Sequence, residues 1–312
     1  MLITPRSYGL FSQDILQSFP ADEYKVIRDK GPFNEDELGE RLQGVHGLIV
    51  GTDQVTRKAL KHAGDLEIIV KYGVGVDNID MDYAADKGIV VENTPGVNTE
   101  AVADYTFGLL LMLARQAHLS DMEIRNGDWK KRVGQEIYEK NIGILGLGAI
   151  GKAIAKRATG FDMNLFAYDL YKDEAFAEQY ELTYLELDEV IEQSDILCIH
   201  LPLNKETKHL INEERLTKMK SSAYIINTAR GGIIDEQALY EALKERVIAG
   251  AALDVFEAEP LKDSPLLELD NIILTPHNAS ASQEATNRMT IQSTNKLLTF
   301  YRDRSVSSGN LH

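Results

Sequence analysis

The chain has 312 residues, of which 44% are hydrophobic and 26% charged, a composition typical of one large or two medium globular domains. The formal net charge of −16 argues against nucleic acid and anionic membranes as partners, although a local cationic pocket could still bind an anionic substrate. The single cysteine, Cys198, lies in an apolar segment and can form no internal disulfide, which fits a reducing cytoplasm.

Signals for export, membrane insertion and metal binding are not evident in the sequence. The N-terminal segment MLITPRSYGLF has no long apolar run, so no signal peptide is expected. The longest apolar stretch, FGLLLMLA, is too short to span a bilayer. No Cys/His cluster has metal-ligand spacing, so no metal is expected.

The first hundred or so residues alternate short apolar runs with helical segments, as a doubly wound α/β sheet does. Helices are predicted in EDELGERLQ and TRKALKHA, and the loop ENTPGVNTEAVADY leads into a helix from about Thr99 to Arg115. The predicted strands are LIT (2–4), YKVI (24–27), GLIV (47–50), EIIV (67–70) and IVV (89–91).

At Ile142 the alternation restarts with the most informative stretch of the chain, IGILGLGAIG. Gly146, Gly148 and Gly151 form G-x-G-x-x-G between a buried strand and a helix. The first glycine allows a tight turn, the second lets the backbone approach a pyrophosphate, and the third lets helix and strand pack closely. The helix N-terminus offers free N–H groups to the phosphates. A structural glycine turn is the alternative.

An acid at the end of the next strand, NLFAYD, selects the cofactor. Asp169 follows Gly151 by 18 positions, the spacing needed to accept hydrogen bonds from ribose hydroxyls. Its carboxylate would repel a 2′-phosphate, and no Arg follows it, so NAD is favoured over NADP. Lys172 is the one nearby cation that could favour NADP.

Later strands predict the domain organisation. They are ILCIH, AYIIN, IAGAAL and NIILT, followed by a last helix at roughly 282–303. We predict two doubly wound parallel-sheet domains, with a Rossmann domain inserted into a flavodoxin-like substrate domain. Residues 1–98 and 282–312 form the substrate domain, residues 99–281 form the NAD-binding domain, and the ligand is expected in the cleft between them.

Polar side chains follow three buried strands of the second half: Arg230, Asp254, Glu259 and His277. An alcohol dehydrogenase needs a proton acceptor near neutral pH, which His277 can be, and Glu259 could fix its tautomer. Arg230 could grip a carboxylate in bidentate fashion. Each residue alone could be a surface charge or turn residue, and a catalytic role for Cys198 is the less favoured alternative.

Several motifs are similar to those of the D-isomer-specific 2-hydroxyacid dehydrogenases along nearly the whole chain: GVGVDNIDMDYAADKGI, ILGLGAIG, HLPLNKETKHLI, NTARGGIID, LDVFEAEP and TPHNAS. The resemblance implies that Arg230 binds the substrate carboxylate and that His277, paired with Glu259, is the acid/base. The cofactor residues that we predict are Gly146, Gly148, Ala149, Ile150, Gly151, Asp169, Leu201, Pro202, Thr228, Ala229, Asp254 and Asn278. The substrate residues that we predict are Lys71, Val74, Gly75, Asn98 and Arg230.

Within this family the chain most resembles 3-phosphoglycerate dehydrogenases, through YGVGVDNID, ENTPGVNTEAVADYTFGLLL and NGDWKKR. That resemblance makes 3-phosphoglycerate the first choice of substrate and serine biosynthesis the setting. Lys71 could bind the substrate phosphate; the alternative is that Lys71 is a solvated residue at the end of a strand. Gly51 and Asn278-Ala279 depart from the phosphoglycerate pattern, and no C-terminal regulatory domain is expected.

Other substrates and a non-enzymatic function remain as alternatives from the sequence. Glycerate or hydroxypyruvate, sulfolactate and lactate are alternative substrates, and an NAD-sensing corepressor is a non-enzymatic alternative. The resemblance also implies a homodimer formed through the nucleotide domain and its 99–135 arm, where Lys130, Lys131 and Arg132 could reach the neighbouring subunit.

Overall fold

Two parallel β-sheets, of five and seven strands, organise the chain. The computed structural model describes residues 1–309, and the chain divides into one unit of Met1–Asn98 with the segment from Ala281, and a second unit of Thr99–Ser280. The predicted fold class, two parallel-sheet α/β domains, is confirmed. Within residues 1–309 no helix is both long and apolar enough to cross a membrane.

The first unit carries five strands in the order β2-β1-β3-β4-β5. These strands are β1 (Leu2–Ile3), β2 (Ile27–Arg28), β3 (Gly47–Val50), β4 (Ile68–Lys71) and β5 (Val90–Glu92). Three short α-helices alternate with strands β2 to β5 along the chain: α1 (Glu35–Arg41), α2 (Arg57–Leu60) and α3 (Met81–Asp86). Strands β3 and β4 are buried along their whole length, which explains their unbroken apolar runs.

The second unit carries seven strands in the order β12-β11-β10-β9-β6-β7-β8. These strands are β6 (Asn141–Leu145), β7 (Asn164–Tyr168), β8 (Thr183–Tyr184), β9 (Ile196–Ile199), β10 (Tyr224–Asn227), β11 (Gly250–Leu253) and β12 (Ile272–Leu274). The helices are α4 (Thr99–Arg115), α5 (Ala117–Arg125), α6 (Ala149–Thr159), α7 (Glu174–Tyr180), α8 (Leu187–Gln193), α9 (Glu213–Lys218) and α10 (Glu236–Lys244).

Apolar cores cover both faces of the seven-stranded sheet. Ile144 and Ile226 belong to one core and Leu197 and Ile225 to the other, so neighbouring residues of one strand face opposite sides. Because all the paired strands are parallel, their carboxyl ends lie at one edge of the sheet. Side chains at that edge are the candidates for a ligand site.

The last helix, α11 (Gln283–Gly309), belongs to the first unit. Its Met289 and Leu297 are buried in the same core as Ile49 and Ile68 of β3 and β4. The buried face of this helix also carries polar residues, among them Ser293 and Thr294, while the apolar Ile291 is exposed. This mixture explains why the sequence shows a weak amphipathic pattern there.

Candidate active site

The turn between β6 and α6 requires its glycines. Gly146 has φ +95°, and a Cβ there would lie 2.7 Å from the His200 carbonyl oxygen. A Cβ at Gly151 would lie 2.2 Å from the carbonyl oxygen of Gly146, whereas one at Gly148 would meet nothing within 4 Å. The first and third glycines therefore permit tight packing, and the second leaves open space over the turn.

The residues around this turn fit a dinucleotide. Helix α6 is 11 residues long and begins at Ala149, and its N-cap, Gly148, offers no side chain to cap the first N–H groups. The Asp169 carboxylate, at the end of β7, accepts hydrogen bonds from Leu147 N at 2.6 Å and from Tyr171 N at 2.9 Å. These bonds fix an acid beside a helix N-terminus that suits a pyrophosphate.

Replacing Asp169 with asparagine should narrow a preference for NADH over NADPH. The substitution keeps an acceptor oxygen but removes the charge that opposes a 2′-phosphate. The measurement is kcat/KM with each cofactor. Glu174→Gln, an equal charge change on the exposed start of α7, is the control and should leave the preference intact. Equal kcat/KM for the two cofactors in the unaltered protein would contradict the assignment.

His277 and Glu259 form a hydrogen-bonded pair, with Nδ1 of the ring 2.8 Å from Oε2 of the carboxylate. An ionised carboxylate can only accept, so Nδ1 carries the proton and donates it. The other ring nitrogen, Nε2, is then the atom that can take or give a proton. The two side chains are 44% and 37% exposed, so a small reactant can reach them.

The pKa of the Glu259 carboxyl reflects opposing influences. Burial alone would raise this pKa. The hydrogen bond and charge of His277, the Phe256 amide and the charge of Arg230 outweigh burial and leave the pKa below the usual value for glutamate. Glu259 therefore stays ionised at pH values where an ordinary glutamate begins to gain a proton.

Replacing Glu259 with glutamine should move the pH dependence of keto-acid reduction more than it changes KM. If His277 donates the proton in reduction, the negative charge of Glu259 favours its protonated form, so the decline in rate with rising pH should begin at a lower pH without that charge. Glu268→Gln, a change of an exposed glutamate in the same unit, should leave the profile in place. An unchanged profile in Glu259→Gln would show that the two residues are not coupled.

Asp254 holds the loop that carries His277. Its carboxylate, with the residue fully buried, accepts from Thr275 Oγ1 at 2.6 Å and from the backbone amides of Asn278 and Ala279, both at 2.8 Å. Its carbonyl oxygen accepts from His277 N at 2.9 Å. His277 has φ +51°, a conformation unfavourable for most residues, and the bonds on either side of it hold the loop there.

The turn after β10 brings Arg230 to the same edge of the sheet. Asn227 closes this turn, since its side chain accepts from Ala229 N at 3.0 Å and donates to the Arg230 carbonyl at 2.8 Å. The next residue, Gly231, lies against the segment after β11: a Cβ there would be 1.9 Å from the Phe256 carbonyl oxygen. The loops carrying Arg230 and Glu259 are therefore in direct contact.

Cys198, the alternative catalytic residue from the sequence, and the nearby His200 are poorly suited to proton transfer. Burial lowers the pKa of His200 to about 3, and neither of its buried ring nitrogens finds a hydrogen-bond partner in the described part of the chain. Burial raises the pKa of the fully buried Cys198 thiol to about 12, so the catalytic-thiol alternative is not supported.

The predicted substrate residues of the first unit differ in how exposed they are. Lys71, at the end of β4, is 7% exposed, and its ammonium group donates to Gly51 O and to Asn78 Oδ1 at 2.7 Å. The alternative of a solvated lysine is therefore wrong. Val74 is exposed, and Asn98 has a buried Oδ1 that accepts no hydrogen bond from the described residues.

The predicted cofactor residues follow successive strands along one sheet edge. The glycine turn with Ala149 and Ile150 follows β6, and Asp169 follows β7. Leu201 and Pro202 come after β9, and Thr228 and Ala229 after β10. Asp254 follows β11, and Asn278 follows β12. Sequence reasoning missed the internal hydrogen bonds of Asp254, whose only signal was an acid directly after an apolar strand. Among the described residues, no group of three or more His, Cys, Asp or Glu could hold a metal ion.

A glycine-rich nucleotide turn and a hydrogen-bonded histidine–glutamate pair on one parallel sheet are typical of an NAD-linked oxidoreductase, and comparison with known proteins agrees. The family described as "D-isomer specific 2-hydroxyacid dehydrogenase, NAD binding domain" matches residues 107–279. The chain belongs to this D-isomer-specific 2-hydroxyacid dehydrogenase family, and NAD is the cofactor of its matched domain.

Individual relatives carry different names. A glyoxylate reductase of Korarchaeum cryptofilum is 42% identical over 288 residues, covering 90% of this chain and 87% of the relative. A D-3-phosphoglycerate dehydrogenase of Methanocaldococcus jannaschii is 42% identical over 275 residues, covering 85% of this chain and 52% of the relative. The structure of D-lactate dehydrogenase from Aquifex aeolicus, complexed with NAD and lactic acid, has a TM-score of 0.85 at 30% identity and covers 97% and 95% of the two chains.

Proposed function

We propose that the protein interconverts a small anionic D-2-hydroxy acid and its 2-keto acid, with His277 as the acid/base. The observation that carries this proposal is the hydrogen bond from His277 Nδ1 to Glu259 at 2.8 Å. It holds the proton on Nδ1, so that Nε2 exchanges a proton with the substrate oxygen. Arg230 binds the substrate carboxylate, which its planar guanidinium can grip with two hydrogen bonds.

The cofactor and the protein divide the chemistry between them. The glycine turn and Asp169 would hold NAD, which would supply the hydride acceptor for oxidation of the alcohol carbon and, as NADH, the hydride donor for reduction of the keto carbon. The protein's Nε2 removes the hydroxyl proton during oxidation and donates one to the carbonyl oxygen during reduction. Glu259 stays ionised and stabilises the imidazolium that forms in oxidation.

For the substrate, we infer a small unphosphorylated acid of the glyoxylate or hydroxypyruvate type. A phosphate-binding cation usually presents its charge at a surface, but Lys71 is buried and its ammonium group donates to Gly51 O and Asn78 within its own unit. The glyoxylate reductase of Korarchaeum cryptofilum, with 87% of its length covered, is in keeping with this inference.

The second candidate is 3-phosphoglycerate, the first choice from the sequence. Lys71 supports it, because a cation at the end of a strand next to YGVG could still turn toward a phosphate. The similarity to the Methanocaldococcus jannaschii enzyme also supports it, although this chain spans 52% of that relative. Sulfolactate and lactate remain in the assay panel as the other small acids.

The test is NADH oxidation with glyoxylate, hydroxypyruvate, pyruvate, sulfopyruvate and phosphohydroxypyruvate, each with the unaltered protein and with Lys71→Met. We expect the unphosphorylated acids to have the highest kcat/KM, and Lys71→Met to lower kcat/KM for all acids by a similar factor. Lys61→Met, which changes an exposed lysine, is the control. A KM increase confined to phosphohydroxypyruvate would favour 3-phosphoglycerate, and no turnover with any acid would favour the corepressor alternative.

We also propose that the protein is a cytoplasmic homodimer formed through its nucleotide domain and the arm of residues 99–135. No residue of α5 is buried, and beyond it Trp129 and Val133 are 88% and 91% exposed. Large apolar side chains this exposed are typical of interaction sites. Light scattering should give about twice the chain mass of 34.8 kDa, and Trp129→Glu should lower it toward the mass of one chain.

A further inference from the structure

Two glutamates outside the proposed acid–base pair are joined by reciprocal hydrogen bonds, in which the backbone amide of each donates to the carboxylate of the other. Glu257 N donates to Glu236 Oε1 at 2.6 Å, and Glu236 N donates to Glu257 Oε1 at 3.3 Å. Glu236 is the first residue of α10, and Glu257 lies two residues before Glu259. The reciprocal bonds therefore join the segment that carries Glu259 to the start of a helix.

A histidine from a third segment completes this arrangement. His209 Nε2 lies 3.1 Å from Glu257 Oε1, and because the carboxylate accepts, the ring donates. The backbone of His209 is held as well, since its N–H donates to the Gly232 carbonyl at 2.8 Å. Asp235, the N-cap of α10, lies 3.8 Å from the other ring nitrogen. We call His209, Glu236 and Glu257 the glutamate clamp.

Glu236, a member of the glutamate clamp, is electrostatically coupled to Glu259 of the acid–base pair. Burial raises the pKa of Glu236, and the negative charges of Glu257 and Glu259 raise it further. Glu259 in turn faces His277 and Arg230. The clamp thus lies within electrostatic range of the carboxylate that orients the catalytic ring.

We propose that Glu236 and Glu257 are positioning residues that hold the Glu259 carboxylate against His277 Nδ1. This inference rests on the proposed function and extends it to residues that do not touch the substrate. Glu259 belongs to a short loop, and its own carboxylate bonds back to Phe256 N at 3.2 Å, so the loop depends on outside contacts for its position. A displacement of about 1 Å in a catalytic group can lower the rate about 100-fold.

The kinetic test compares Glu236→Ala with Glu236→Gln. Alanine removes the acceptor for Glu257 N, and kcat should fall about 10-fold or more with little change in KM for the keto acid. Glutamine keeps an acceptor oxygen and should restore most of the rate. Glu257→Ala is the second variant and should behave like Glu236→Ala. The control is Glu241→Ala, which removes an exposed glutamate of the same helix that bonds to Gln237.

A double variant separates positioning from general structural damage. If the clamp acts through Glu259, then Glu236→Ala should cost little further rate in a Glu259→Gln background. Independent effects, which multiply in the double variant, would overturn the proposal. So would an unchanged kcat in both Glu236→Ala and Glu257→Ala.

An NMR titration of the histidine rings tests the clamp without turnover. In Glu236→Ala the titration midpoint of His277 should move to lower pH, as in Glu259→Gln, because the ring loses its carboxylate partner. Glu241→Ala should leave it in place. An unmoved midpoint would reject the clamp even in an active enzyme, whereas a moved midpoint in a protein inactive on every acid would reject only the proposed function.

Discussion

His277→Ala should lower kcat by about 10²–10⁴-fold while NADH still binds. The substitution removes Nε2, the atom proposed to exchange a proton with the substrate oxygen, but leaves the glycine turn and Asp169 in place. The loop should keep its course, because Asp254 holds it through Thr275 and through the amides of Asn278 and Ala279. Steady-state kinetics and NADH fluorescence measure the two effects separately.

The control for this variant is His46→Ala, which removes an exposed histidine of the first unit. It should retain normal kcat. A near-normal kcat in His277→Ala would mean that another group moves the proton. His200 is a poor substitute, because burial lowers its pKa to about 3.

Gly231→Ala should reduce activity by a comparable factor through a single added methyl group. A Cβ at this position would lie 1.9 Å from the Phe256 carbonyl oxygen and 2.7 Å from Glu257 N. These are backbone atoms and cannot rotate away, so the loop of Arg230 and the loop of Glu259 must separate. Since a shift of about 1 Å can cost about 100-fold in rate, both carboxylate binding and proton transfer should suffer. We expect KM to rise and kcat to fall together.

The matched control is Gly108→Ala, in helix α4 of the same unit. A Cβ there meets nothing within 4 Å, and alanine favours helix, so activity should persist and stability should rise slightly. Thermal unfolding of both variants distinguishes local loop displacement from global unfolding. Gly231→Ala with unchanged kcat and KM would show that the two loops need not touch.

Most of the fold could be predicted because its strands are buried on both faces. Strands such as β3 and β9 are continuous apolar runs, and the structure has them where the sequence predicts them. The edge strands were harder. The strand predicted at 24–27 is reduced to Ile27–Arg28, both exposed, because Tyr24 N bonds to Pro20 O in a turn, and the two-residue β8 was not predicted at all.

The site could be predicted only in part, since its supporting bonds join residues distant in sequence. The glycine turn and the polar residues after strands carry local patterns. The reciprocal bonds of Glu236 with Glu257 span 21 positions, and the bond from Asn278 N to Asp254 spans 24. No local sequence pattern indicates either of them. The burial of Lys71 could not be predicted either, because a charged residue at the end of a strand is normally expected to be exposed.

Arg230, Glu259 and His277 all follow strands of the sheet that also bears the nucleotide turn, within Thr99–Ser280. In the proposed mechanism, the groups for proton transfer and for cofactor binding are therefore encoded together in one continuous stretch of chain. Lys71, Val74, Gly75 and Asn98 are encoded outside that stretch. A chimaera that exchanges the flanking segments with those of a relative would therefore keep Arg230, Glu259 and His277 together, and any change in its substrate preference would be assigned to the exchanged segments.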